Sequence, residues 1–122
     1  MSTVLLWLGV GVLGGLASIA RFVLDGLVST ASGSRLPLGT LAVNLSGALV
    51  LGLLIGLGVH GDAYLLAGTA VLGSYTTFST WMFESERLAE AGGRWVVLAN
   101  VGASLILGVA AVALGRVIGG GL

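Results

Sequence analysis

Ten charged residues cut this sequence into four stretches that carry no charge at all. The windows run over residues 1–20, 36–61, 63–83 and 95–115, separated by Arg21 to Arg35, by Asp62 and by the cluster from Glu84 to Arg94, with Arg116 closing the last. Each window is close to the ~20 residues that a helix needs to cross the hydrocarbon core of a bilayer. Composition points the same way, because 57% hydrophobic residues against 8% charged leave too little charge to coat a soluble domain. The chain therefore reads as an all-α membrane protein of four transmembrane helices, at about 3–27, 37–59, 63–91 and 95–117, forming a single domain over 1–122.

The first window has no Lys or Arg before Arg21 and no clean small-residue cleavage site after it, so we read it as a permanent span and not as a signal peptide. The absence of cysteine excludes disulfides and thiolate metal sites. A formal net charge of zero argues against a nucleic-acid partner. Pro37 suits the first turn of span two, and Gly92 with Gly93 stops the helical run through "ESERLAEA". His60 and Asp62, in the turn "VHGD", read as solvated loop residues, while Trp7 and Trp95 fit interfacial anchors.

Glycine contributes 22 of the 122 residues. In lipid no hydrophobic force draws helices together, so small residues that let backbones approach become the means of packing. Gly52 with Gly56, and Gly115 with Gly119, each form a GxxxG pair and are read as packing faces.

Polar residues inside the spans must find a partner or line a wet path. Asn44 sits in "GTLAVNLSG"; Asn100 and Ser104 lie one helical turn apart in span four; and "GSYTTFSTW", from Gly73 to Trp81, carries hydroxyls at Ser74, Tyr75, Thr76, Thr77, Ser79 and Thr80. A lone Asn is commonly interhelical glue, and a membrane Ser or Thr commonly bonds its own i−4 carbonyl. A hydroxyl run beside Gly73 with three β-branched threonines is better explained as a break in span three, at 73–78. Broken helices at membrane depth survive where the freed backbone meets protein or a cavity, and they recur at ion sites. No acidic residue lies centrally in any span, so the donors on offer, the Asn44 amide, the hydroxyls and the positive ring edges of Phe78 and Trp81, favour a small anion.

These residues resemble the bacterial fluoride channels called Fluc or CrcB. The family pattern is roughly GTLxVNxxG in span two and GxxTTFSTF in span three; here stand "GTLAVNLSG" (39 to 47) and "GSYTTFSTW" (73 to 81). The resemblance covers essentially the whole chain, including an arginine, Arg21, near the end of span one in "LGGLASIARF". It implies a passive, non-enzymatic fluoride-selective channel of the bacterial plasma membrane that lowers cytoplasmic fluoride toxicity. Carried over by position, Asn44, Phe78, Ser79, Thr80, Trp81 and Ser104 would line the fluoride path, with Glu84 at its vestibule. Gly73 and Thr76 would hold a structural sodium ion (Na+) by backbone carbonyls at the dimer interface. Trp81 stands where the motif has its second phenylalanine, and Asn100 where relatives carry another polar or aromatic residue.

The implied assembly is an antiparallel, dual-topology dimer in the lipid bilayer, since four helices have no room for a sheltered pore of their own. The partner would be an identical chain or a homologous sister chain. Arg35, Arg87 and Arg94, with Arg21 near the same side, outnumber Arg116 on the other face, a bias that favours one orientation with both termini outside. Two rival readings are a small multidrug-type transporter, for which residues 1–20 of the first span lack a carboxylate, and a non-transporting membrane scaffold subunit, which would leave the hydroxyl cluster unexplained.

Overall fold

The computed structural model describes residues 2–33 and 37–122, and among them every regular element is a helix. Residues 34–36 of the sequence joining spans one and two, Arg35 among them, lie outside the described residues. Helix α1 (Thr3–Ser32) opens with the Ser2 hydroxyl accepting the Leu5 N–H at 3.2 Å and closes at Gly33, whose φ of 59° is left-handed. It runs well past the charge-free window, through Arg21 and Asp25. Helix α2 (Leu38–Gly56) follows Pro37, which sits just ahead of the first helical residue.

The third window is divided. It begins with α3 (Gly61–Tyr64), widens into a π-helical stretch (Leu65–Leu72), and tightens into the short α4 (Gly73–Tyr75). The chain leaves helical geometry at Thr76 (φ −78°, ψ 161°) and resumes it in α5 (Ser79–Glu90). Gly92, at φ 80°, reverses the chain into α6 (Arg94–Gly120). Helices α1, α2 and α6 are each long and apolar enough to cross a membrane. Their outward faces carry large apolar side chains such as Leu5, Phe22, Ile106 and Val109, as lipid-facing surfaces should.

The most extensive packing joins α2 to α6, and glycine makes it. A Cβ at Gly52 would strike the Val112 carbonyl, one at Gly56 the Arg116 carbonyl, one at Gly115 the Leu49 carbonyl and one at Gly119 the Leu53 carbonyl. Both GxxxG pairs therefore interlock, each backbone filling the groove left by the other's missing side chains. Contacts advance together along both chains, Leu49 with Gly115 and Leu53 with Gly119, so α2 and α6 run parallel.

Helix α1 packs on α2 and on the 65–75 segment. Gly14 lets it close: a Cβ there would meet the Ser74 Oγ at 3.0 Å and the Ala70 carbonyl at 3.6 Å. Gly47 of α2 is likewise filled by Thr76 and Tyr75. These two glycines seat residues 70–77 between α1 and α2, which is where the site is built.

Candidate functional site

Thr76 and Thr77 are β-branched and fit an extended backbone more easily than a helix. What holds them there is Asn44. Its Nδ2 donates to the Thr77 carbonyl at 2.9 Å, and its Oδ1 accepts the Thr77 N–H at 2.8 Å, so one side-chain amide satisfies both polar groups of one peptide residue. The Thr77 hydroxyl then accepts the Thr80 N–H at 3.2 Å, a bond of the capping kind that starts α5.

These diversions release two carbonyls. In a continuous helix the Thr77 N–H would reach the Gly73 carbonyl and the Thr80 N–H the Thr76 carbonyl. Here the first goes to Asn44 and the second to the Thr77 hydroxyl. Gly73 and Thr76 are thus among the residues whose carbonyl oxygens lose their helical donors at the break, Ser74 being another since no Phe78 N–H bond reaches it, and such oxygens can coordinate a hard cation.

The hydroxyls of "GSYTTFSTW" divide by task. Tyr75 pairs with Ser46 at 2.9 Å, Thr76 donates to the Leu72 carbonyl at 2.9 Å, Thr77 takes the start of α5, and Ser74 packs beside Gly14. Ser79 is exposed and Thr80 half-buried, and neither hydroxyl has a partner among the described residues.

Asn44, Gly73, Thr76, Thr77, Phe78 and Trp81 line a cavity of about 460 Å³, together with apolar residues and Tyr64. No charged side chain borders it. Phe78 is 70% exposed and meets Trp81 edge to face, ring centroids 5.7 Å apart at 75°. The cavity wall therefore offers amide, hydroxyl and ring-edge groups, which can replace the hydration of a small anion without trapping it against a fixed cation.

Four of the residues singled out by sequence, Ser79, Thr80, Ser104 and Glu84, are not among those that line this cavity within the single chain. Ser104 lines a separate cleft of about 880 Å³ with Leu105, Gly108 and Arg116, reaching the first cavity only through their common neighbour Ala48. Glu84 accepts the hydroxyl of Thr40, a buried residue at the start of α2. Asn100 does not turn toward Ser104: it donates to the Ser85 Oγ at 2.8 Å, and Ser85 donates to the Trp81 carbonyl at 2.8 Å. The place of Thr77 at the start of α5, Ser85, and the Asn100 link to Trp81 are features that the sequence reading did not assign. A threonine three residues ahead of a helical Thr80 is a capping signature that could have revealed the first.

The fold and this polar, uncharged site define a multi-pass helical membrane protein built to place hydrogen-bond donors at depth. Residues 8–116 match the family described as CrcB-like protein, Camphor Resistance (CrcB). The chain is 52% identical over 116 residues to the fluoride-specific ion channel FluC 2 of Mycolicibacterium paratuberculosis, covering 95% of each chain. It is 48% identical to FluC 2 of Mycobacterium tuberculosis, covering 93% of this chain and 90% of that one, and 40% identical to FluC 1 of Leifsonia xyli, covering 97% and 89%. The chain belongs to the CrcB family.

Proposed function

We propose that this protein is a fluoride-selective channel that lets fluoride leave the cell passively across the bacterial plasma membrane. The observation that carries the reading is the cavity wall, in which the two family motifs meet: Asn44 from one, and Thr76, Phe78 and Trp81 from the other, with no charged group among them. Relatives similar over nearly the full length are named fluoride-specific ion channels, which supports the same conclusion. Fluoride is small and tightly hydrated, so its path must offer many modest donors in series. Asn44, Ser79, Thr80, Trp81, Ser104 and the edge of Phe78 supply them, and Glu84 lies toward a vestibule. A proton-coupled multidrug exporter would need a carboxylate on the path, and the cavity has none. No bond is made or broken in transport.

The architecture we infer has a fourth crossing whose break, expected at 73–78, narrows to 76–78 because Gly73–Tyr75 stay helical. Support comes from α2 and α6: they run parallel, so if both cross the bilayer the chain between them must return across it. The functional unit is an antiparallel dimer. Its motive is the single chain's own surface, where Phe78 is exposed and the cleft bearing Ser104 stands open. Two copies related by a twofold axis bring two breaks together, and the Gly73 and Thr76 carbonyls of each would hold the structural Na+. Bound there, the ion would give these carbonyl dipoles the partner that the break takes from them.

The test is direct. Purified protein in liposomes loaded with potassium fluoride or potassium chloride, and opened with a potassium ionophore, releases fluoride and retains chloride. Release of both ions, or of neither, overturns the proposal.

A further inference from the structure

Among the described residues, the indole N–H of Trp81 is the one buried side-chain polar atom with no hydrogen-bond partner. An indole nitrogen can only donate, and a buried donor left unpaired is disfavoured strongly enough that native chains seldom keep one without a ligand, a water or a role. The ring around it is far from loose. Its backbone carbonyl is held by Ser85, itself held by Asn100, which is only 5% exposed, and its face or edge is set against Phe78. These bonds hold the backbone that carries the ring, and the residue lines the cavity shared with Asn44, Thr76 and Phe78 with its single polar atom left over.

We propose that the Trp81 indole N–H donates a hydrogen bond to fluoride as it passes, making this residue a specificity-determining donor; the inference rests on the fluoride-channel reading. A phenyl ring in this place would present only weakly positive C–H edges. The indole keeps such an edge and adds a true donor, buried and unpaired on a residue that lines the cavity. Fluoride, the more concentrated charge, accepts such a bond more strongly than chloride, so the donor widens discrimination between the two.

The experiment uses the full-length protein in lipid nanodiscs, labelled with nitrogen-15 in its tryptophan indoles and titrated with sodium fluoride or sodium chloride. Trp7 and Trp95, 61% and 79% exposed, serve as internal references. Fluoride is expected to move one indole proton resonance downfield, chloride to leave it in place, and Trp81→Phe to remove that resonance. In liposomes Trp81→Phe, which keeps an aromatic ring, should still conduct fluoride but with discrimination against chloride lowered about tenfold, the scale of one hydrogen bond. A Trp81 resonance unmoved by fluoride, in protein that conducts fluoride, overturns the proposal and assigns the N–H to an acceptor on a second chain. Wild-type liposomes that release no fluoride overturn the channel reading instead.

Discussion

The Asn44 side chain and the Thr77 backbone pair as two peptide groups would, each donating to the other, at 2.9 and 2.8 Å. This exchange turns a run of threonines into a stable non-helical segment inside an apolar protein, and it makes Asn44 both a wall of the cavity and the support of that wall.

Asn44→Ala should therefore unseat residues 76–78 as well as remove a donor. We expect loss of fluoride flux with destabilisation of roughly 2–4 kcal/mol, the sum of two lost bonds and two stranded peptide groups. Asn44→Asp keeps the acceptor for the Thr77 N–H but loses the donor and adds a negative charge beside an anion path. It should lose flux as well, with a smaller drop in melting temperature in detergent. Phe78→Ile, a change at a largely exposed ring, should abolish flux with melting unaffected. Full flux in all three would remove these residues from the path.

Substitution at Gly115 tests the helix pairing separately from the pore. A Cβ there would overlap the Leu49 carbonyl, which a helix backbone cannot move aside. Gly115→Ala should cost about 1–3 kcal/mol through overpacking. Gly102→Ala, with open space around it, should be silent. Equal thermal stability of the two variants would contradict the interlocked packing of α2 and α6.

The released carbonyls of Gly73 and Thr76 predict a cation requirement. Replacing sodium by a large organic cation on both sides of the membrane should lower fluoride flux and the thermal stability of the protein, and returning sodium should restore both. Flux and stability indifferent to sodium would leave those oxygens to protein or water partners.

Orientation decides the partner. Single cysteines at Ser32 and Gly121, which the four-span reading puts on opposite faces, can be labelled from each side of the membrane in cells expressing this protein alone. Labelling of each from both sides, with fluoride resistance, identifies an antiparallel homodimer. One-sided labelling without resistance, rescued by a homologous chain, identifies a heterodimer and gives the arginine bias its meaning.

Much of this protein is determined by sequence alone. Charge-free windows specify where the chain can enter lipid, because unpaired charges are expelled from hydrocarbon; α2 and α6 follow theirs, while α1 begins in its window and overruns it. Both GxxxG pairs announced a packing face, since in lipid close backbone approach replaces the hydrophobic effect. The threonine run signalled an unstable helix through its β-branching. Tertiary structure alone decided the rest. That Asn44 grips Thr77, that Asn100 reaches Ser85 and not Ser104, and that Trp81 keeps an unpaired N–H are all matters of which helix lies against which. A side-chain amide has the same donors and acceptor wherever it stands in a sequence. Which carbonyl it meets depends on the crossing of α2 over the 70–77 segment, and that is set by distant glycines acting together.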